Sequence, residues 1–469
     1  MDITFQYDSA ESDGFLESLP IELISTIFVH YVHSIPTTSP LTLGKICRRW
    51  RYIAWSTPEL WTELTMDSLH STSETHIELA EEWLGRSGSL PLSIKYSSYQ
   101  KGTGDIDEEP IEADSEMLAY SQRMLKVLSR CSDRWHTLSL VLPSNVIEEI
   151  GTLTRPPSML HSLSLEARRV DVDEFRLHAR YPSITVTFLK CSPKIVDISF
   201  LKVSLDWTTV TVLNIKIVNI AEVACIFQDA QNLSECTLEA VHAYGTRITT
   251  IRESNVVVCP HLTSLVIFFA SVTSQELFCS AISLPALKYL TFVGMEDNDT
   301  ELSMDGLISF LSRSSCALVN LEIDEADFHS GSLIDLAPLL SSLTELYIWS
   351  SDDRISYEKD AFYELLADPT RVPTHVLPST PYTAYPMLPC LEIYDWHGCK
   401  PYPWLTVPGL LNPVSPNGFQ HRRPLQLVKI HCTDMPGRML YIPQVVVRLS
   451  EECDDVEFDL SVVSDWDSP

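Results

Sequence analysis

Basic residues are scarce in this chain of 469 residues. Its 33 Lys and Arg face 63 Asp and Glu, which gives a formal net charge of −30. Nucleic acids and anionic membrane surfaces attract proteins through clustered Lys and Arg. We therefore expect no nucleic acid and no membrane as a partner, whereas the charge is compatible with a basic protein partner.

Long apolar runs and secretion features are also missing. No apolar run approaches the roughly 18 residues that a membrane-spanning helix needs, and the acidic stretch 1–14 lacks the basic and apolar regions of a signal peptide. The twelve cysteines include no Cys-x-x-Cys pair, so we expect reduced core thiols rather than disulfides or zinc ligands. These features predict an intracellular protein of the cytoplasm, the nucleus or both.

Enzyme signatures are absent as well. The sequence has no GxSxG and no HExxH, and its short glycine-containing stretches lack the other residues of a dinucleotide motif or a P-loop. His397 and His431 each lie near a cysteine in the sequence, but nothing in the sequence orients them as a thiol site. We therefore predict no catalytic residue, no cofactor, no metal ligand and a protein that is not an enzyme.

Residues 18–65 have a compact helical pattern. Apolar residues after Pro20 recur at the spacing of a helix face, namely Ile21, Ile24, Ile27, Phe28 and Tyr31. A loop at 34–40 follows, then a second helix is predicted from Leu41 onward. Pro58 opens a short third helix, because proline is tolerated in a first helical turn.

Three blocks of this segment resemble an F-box, in the order of that family. They are Leu19-Pro20-Ile21-Glu22, Cys47-Arg48-Arg49-Trp50-Arg51 and Pro58-Glu59-Leu60-Trp61. The stretch 83–92 is similar to the segment after the F-box in many fungal F-box proteins with leucine-rich repeats. The resemblance implies binding to the Skp-type adaptor of a Skp–cullin–F-box ubiquitin ligase, and through it to a cullin. The residues expected to bind the adaptor are Leu19, Pro20, Ile21, Ile24, Ile27, Phe28, Cys47, Arg49, Trp50, Pro58, Leu60 and Trp61.

A hexapeptide of the form L-x-x-L-x-L recurs through the rest of the chain. Copies begin at Trp135, Leu160, Val210, Leu233, Leu262, Leu287, Leu318, Leu343, Leu388 and Leu425. The basic unit of about 25 residues lies in the range of leucine-rich repeats. Each unit would supply a strand and a helix or loop that bury their apolar sides by stacking. The register between 170 and 205 stays open, because both Ile184–Phe188 and Ile195–Phe200 could form the missing strand.

The predicted fold class is α/β, with an N-terminal three-helix F-box followed by a leucine-rich-repeat solenoid. We predict a disordered N-terminus at 1–17, the F-box at 18–65, and linker helices and a first repeat with an acidic insertion loop at 66–134. The repeat domain would occupy 135–460, with proline-rich insertions at 350–386 and 399–424, and an acidic tail would occupy 461–469.

Alternate positions of the hexapeptide should point away from the core. Aromatic residues there are predicted to bind a substrate, because aromatics dominate binding hot spots; they are Phe268, Tyr289, Tyr347, Trp349 and Tyr394. The same face carries acidic residues, namely Glu235, Glu239, Glu322, Asp324, Glu345 and Glu392. The face would suit a partner rich in Lys or Arg, unless the insertion at 350–386 covers it.

These inferences predict a substrate-recognition subunit that presents a protein for ubiquitin-dependent degradation. The alternative is a protein-interaction scaffold that acts outside a ubiquitin ligase.

Overall fold

The computed structural model describes most of the chain between residues 19 and 464. The described ranges are 19–35, 38–67, 74–99, 115–147, 149–150, 156–168, 185–187, 193–198, 202–243, 256–294, 303–324, 330–350, 360–368, 387–398, 402–411, 422–434 and 441–464. The segment 1–17 and nearly all of the predicted acidic loop lie outside them. The chain divides into two compact units, Met1–Pro193 with Leu201–Asp206 and Lys194–Phe200 with Trp207–Pro469. We call them the N-terminal and the C-terminal unit.

Three helices open the N-terminal unit. They are α1 (Ile21–Ser34), α2 (Pro40–Ile46) and α3 (Arg48–Trp55). The single helix predicted from Leu41 is wrong, because the backbone at Cys47 is extended, with φ −155° and ψ 170°, and separates α2 from α3. The sulfur of Cys47 accepts a hydrogen bond from the Trp50 backbone N–H at 3.4 Å and caps α3. The predicted third helix is a 3-10 turn at Pro58–Trp61.

A parallel sheet follows directly in the same unit. Its elements are β1 (Glu63–Asp67), α4 (Glu74–Arg86), β2 (Leu92–Ser97), α5 (Ser115–Ser129), β3 (Trp135–Pro143), α6 (Ser144–Ile147) and β4 (Ser162–Arg168). Strands β1 to β4 pair in chain order. Strand β1 crosses the predicted boundary at 65, so the helical region passes into the sheet without a linker.

The open register between 170 and 205 is resolved by three strands. They are β5 (Thr185–Thr187), β6 (Ile195–Ile198) and β7 (Lys202–Ser204). Strands β5 and β7 pair with each other in a separate sheet of the N-terminal unit. Strand β6 pairs with the next strand of the C-terminal unit, so the second of the two candidate segments supplies the repeat strand.

The C-terminal unit alternates strands with helices along the chain. Its further elements are β8 (Val212–Ile215), β9 (Val218–Asn219), α7 (Ile220–Asp229), β10 (Glu235–His242), β11 (Val257–Val258), β12 (Ser264–Phe269), α8 (Val272–Ala281), β13 (Ile282–Ser283), β14 (Tyr289–Val293), α9 (Met304–Ser314), β15 (Asn320–Asp324), α10 (Ser330–Leu336), β16 (Glu345–Ser350), α11 (Asp360–Ala367), β17 (Ile393–Gly398), α12 (Val407–Leu410), β18 (Leu427–Asp434), α13 (Gln444–Glu452) and β19 (Glu457–Ser464). The main sheet is parallel and follows the order β6, β8, β10, β12, β14, β15, β16, β17, β18, β19. Helices α8 and α9 lie between strands of this sheet, as the predicted repeat unit of a strand and a helix or loop requires.

The repeated hexapeptides coincide with the strands. Their fourth residues pair side by side and are buried, as in the row Leu213, Cys236, Leu265, Leu290, Leu321 and Leu346. The copy placed at Leu388 is wrong by three residues. Tyr394 pairs with Leu346 and Trp396 with Ile348, so the matching hexapeptide begins at Leu391. Leu388 instead lies in the preceding turn with a positive φ of 46°.

Two predicted insertions and the predicted tail contain regular structure. Helix α11 lies within 350–386 and α12 within 399–424, and they bury Phe362, Leu366 and Val407. Strand β19 pairs with β18 as far as Ser464, so the tail cannot begin at 461. No helix in the described ranges combines the length and the apolar character that crossing a membrane requires.

Candidate functional site

Helix α1 has two apolar faces, and only one is buried. Ile24 and Phe28 are each 2% exposed and pack into the helical core. Leu23, Ile27 and Tyr31 follow one another at i, i+4 spacing and are 52%, 50% and 46% exposed. Residues four apart on a helix are neighbours on its surface. These three side chains therefore form a continuous exposed ridge, the α1 ridge.

A second exposed apolar pair lies at the break between α2 and α3. Ile46 is 60% exposed and Tyr52 is 68% exposed. Lys45, Arg48 and Arg51 are exposed in the same stretch, so cationic side chains accompany the apolar ones. This combination suits a partner surface that is apolar at its centre and acidic around it.

The predicted adaptor contacts divide into surface and core residues. Those with exposed or partly exposed side chains are Leu19, Pro20, Ile21, Ile27, Cys47, Arg49, Trp50 and Pro58. Buried ones are Ile24, Phe28, Leu60 and Trp61. These four pack in the core of the free chain, and their contact with the adaptor stays a prediction. The sequence argument did not include the exposed Leu23, Tyr31, Ile46 and Tyr52 among the expected contacts, although the i, i+4 spacing of the α1 ridge was visible.

Trp61 illustrates the structural role of the buried residues. Its ring lies 5.2 Å from that of Trp55 and 4.8 Å from that of Trp83, and its indole N–H donates to the Ala54 carbonyl at 2.8 Å. The Trp83 indole N–H in turn donates to the Glu63 carbonyl at 3.1 Å. This tryptophan cluster fixes the helices to the first strand, so Trp61 positions the surface rather than belonging to it.

Arg49 ties the start of the helical region to α3. Its Nη2 donates a hydrogen bond of 3.0 Å to the carbonyl of Leu19, while the ring of Trp50 lies 4.8 Å from Phe28. Arg49 and Trp50 therefore hold α1 against α3. These two contacts fix the position of the α1 ridge.

The outward side of the C-terminal sheet, here called the strand face, carries most of the predicted substrate contacts. Tyr289 and Trp349 are 48% and 41% exposed, and Phe268 and Tyr347 are partly exposed. Tyr394 is fully buried, so its predicted outward position is wrong. The cause is the three-residue error in the register of β17, which turned an inward position into an outward one.

Carboxylates surround Tyr347 on the strand face. Tyr347 is in register with Glu322 on β15 and with Asp395 on β17, and its hydroxyl donates to Glu345 at 3.4 Å. The pKa of Tyr347 is raised by partial burial first, and then by the negative charges of Glu345, Asp395 and Glu322. The electrostatic potential at the Tyr347 ring is therefore negative.

Two histidines that the sequence left unconnected lie side by side on the strand face. The ring of His397 is 4.6 Å from that of His431 and 5.0 Å from that of Trp349. Nε2 of His397 lies 2.8 Å from Oδ1 of Asp395, and Lys429 Nζ lies 3.7 Å from Oδ2. Burial lowers the pKa of His397, Asp395 opposes this shift, and His431 and Lys429 add to it.

The correct register of β17 would have revealed this pair. Counted from Leu391, His397 occupies the seventh position, as Trp349 and His431 do in the adjoining copies. Among the described residues, no cluster of three or more His, Cys, Asp or Glu side chains has a geometry that could hold a metal ion.

Residues 16–67 match the F-box-like family model. The match covers α1 to α3, the 3-10 turn and β1, and so includes both exposed apolar features of the helical region. It supports an F-box protein, and an F-box suggests a role in binding the Skp-type adaptor of a Skp–cullin–F-box type complex. No curated protein matches the chain.

Proposed function

We propose that this chain is the substrate-recognition subunit of a Skp–cullin–F-box type ubiquitin ligase. Its F-box-like region binds a Skp-type adaptor, and its strand face binds a protein substrate. The α1 ridge carries the first half of this proposal. A surface helix normally directs its apolar stripe toward its own core, whereas α1 also presents a second apolar stripe to solvent.

The energetics favour a partner on the α1 ridge. Burial of apolar surface contributes about 25 cal/mol per Å², so covering Leu23, Ile27 and Tyr31 gives a gain that the isolated chain does not obtain. The exposed cations near Ile46 and Tyr52 would speed the approach of an acidic adaptor, because rim charges act mainly on the association rate. Hydrophobic burial would then determine the dissociation rate.

The parallel sheet supports the second half of the proposal. Successive hexapeptides lie side by side with their fourth and sixth residues buried, which is the arrangement expected of degenerate leucine-rich repeats stacked in a solenoid. Such a scaffold presents a broad, continuous strand face to a protein partner. The chain itself would do no chemistry, and would raise the effective concentration of the substrate beside the ubiquitin-charged enzyme. We place this activity in the cytoplasm, the nucleus or both.

Titration of the full chain with a purified Skp-type adaptor tests the proposal. The variant carrying Leu23→Glu and Ile27→Glu should lose at least tenfold in affinity, since two anchors of the α1 ridge become charged. His33→Glu is the matched control, because His33 is exposed on α1 away from the ridge. Equal affinity for the double variant and the control, or no binding by the natural chain, would refute the proposal.

The alternative function, a scaffold outside any ligase, predicts a different composition of the purified complex. The substrate receptor should recover both the adaptor and a cullin from cell extracts, in amounts that fall together in the double variant. Recovery of the adaptor without a cullin would favour the scaffold.

A further inference from the structure

The strand face has a local excess of negative charge between β15 and β16. Glu322 and Glu345 lie there, with Tyr347 beside both. Neighbouring strands are about 4.8 Å apart, so the two carboxylates and the ring fall within the reach of one side chain from a partner. We call this group, Glu322, Glu345 and Tyr347, the β15–β16 site.

Neither glutamate of the β15–β16 site has a cationic partner within the described part of the chain. Glu322 accepts a hydrogen bond from the Thr291 hydroxyl at 2.9 Å, and Glu345 accepts one from the Asn320 amide at 2.7 Å. Both donors are neutral, so they orient the carboxylates without cancelling their charge. Each carboxylate has further lone pairs to offer.

The next strands show a contrasting arrangement. Asp395 on β17 is 7% exposed and already has His397 and Lys429 within 4 Å, and Asp459 on β19 lies 3.1 Å from His431. Asp395 therefore has a cation, Lys429, within the sheet, whereas Glu322 and Glu345 have none among the described residues. The β15–β16 site therefore offers a partner two carboxylates whose charge is not cancelled by a described cation.

The aromatic rings beside the site favour arginine over lysine as the bound cation. Tyr347 lies among the carboxylates, and the exposed ring of Trp349 follows two residues later on the same face of β16. A planar guanidinium can stack on a ring and donate to two carboxylates at once. The ammonium of lysine is a compact point charge that cannot do both as well.

We propose that the β15–β16 site seats an arginine side chain of the substrate, with its guanidinium between Glu322 and Glu345 and against the ring of Tyr347 or Trp349. The inference rests on the proposed function only in taking the strand face as the substrate surface. It assigns a chemical class to the substrate, a protein segment that exposes at least one arginine.

Fluorescence anisotropy with the full chain tests this inference. The probes are three labelled nonapeptides of alternating glycine with arginine, lysine or glutamate. The arginine peptide should bind at least threefold more tightly than the lysine peptide, and the glutamate peptide should not bind. Glu322→Gln with Glu345→Gln keeps the side-chain shape and should weaken the arginine peptide at least tenfold, as expected when charge-assisted hydrogen bonds become neutral ones.

The matched control carries Glu235→Gln and Glu457→Gln. It makes the same change of charge at exposed outward positions of β10 and β19, and its affinity should stay within twofold of the natural chain. Equal weakening of both double variants would overturn the inference in favour of general charge attraction, and equal binding of the arginine and lysine peptides would also overturn it.

Two further measurements keep the outcome decisive. Trp349→Leu should reduce the preference for arginine over lysine without reversing the charge dependence, and the single variant Glu322→Gln serves if the double variant fails to fold. Adaptor affinity is measured on the same samples. An intact adaptor interaction without arginine binding defeats this inference alone, whereas a lost adaptor interaction with arginine binding defeats the proposed function alone.

Discussion

The α1 ridge and the strand face are exposed surfaces of opposite character. The first is aliphatic with one tyrosine, whereas the second joins tyrosine and tryptophan to carboxylates and histidines. An aliphatic surface gains free energy by burial alone and depends little on salt. A face of rings and carboxylates selects its partner by charge and geometry. The comparison separates a surface suited to one constant adaptor from one suited to a particular substrate.

The largest effects should come from residues that support these surfaces without belonging to them. Trp61→Ala should destabilise the N-terminal unit by about 3–5 kcal/mol, because a large buried ring is lost, and adaptor binding should fall with it. Ile27→Ala, in contrast, should change unfolding by less than about 0.5 kcal/mol and weaken adaptor binding directly. Denaturant unfolding and adaptor titration of both variants separate the two roles. A stable Trp61→Ala variant would contradict the placement of Trp61 in the core.

The same contrast applies on the strand face. Tyr394→Ala should cost about 3–5 kcal/mol because its fully buried ring leaves a cavity, although the sequence placed it outward. The double variant Tyr347→Ala and Trp349→Ala should remain folded, with a loss below about 2 kcal/mol for two partly exposed rings. It should lose substrate capture, which affinity purification with mass spectrometry measures. Unchanged capture by this folded variant would remove Tyr347 and Trp349 from the substrate surface.

Salt should act on adaptor binding mainly through the association rate. Lys45→Gln with Arg48→Gln should slow adaptor association severalfold at low ionic strength and leave dissociation nearly unchanged, since exposed rim charges steer the approach. Arg49 and Arg51 are excluded from this pair because they also donate to the Leu19 and Gly44 carbonyls. Stopped-flow measurements between low and physiological salt give both rates. Association rates that ignore ionic strength would contradict electrostatic steering.

The smallest expected effect is on the stability of the folded chain at acidic pH. The folded pKa of His397 lies below its usual 6.5, so the unfolded chain takes up this proton at a higher pH than the folded chain does. The stabilisation that the neutral ring contributes is therefore present above pH 6.5 and is lost as the pH falls below it. Urea unfolding at pH 7.5 and pH 5.5 should show a smaller loss on acidification in His397→Gln than in the natural chain. An equal loss would mean that other groups account for the acid sensitivity.

Local pattern was sufficient to find most of the strands. A hexapeptide with apolar residues at its first, fourth and sixth positions alternates at its end like a half-buried strand, and the copies from Trp135 to Leu343 coincide with strands. The three blocks around Pro20, Trp50 and Trp61 likewise identified the helical region. Both inferences depend on short stretches of sequence whose spacing determines which side chains can share a face.

The residues that form each surface were decided by tertiary structure. Helix α1 is apolar on most of its circumference, so only the packing of Ile24 and Phe28 against α3 and the 3-10 turn shows that Leu23 and Ile27 are left outside. Around β17, leucines at 388 and 391 offered two registers three residues apart. Pairing with β16 selected the second, buried Tyr394 and brought His397 beside His431. The amino-acid sequence thus determined where α1 and the strands of the repeated hexapeptides form, because periodicity is local. Partner strands and helices determined which faces remain exposed, because burial depends on what packs against each face.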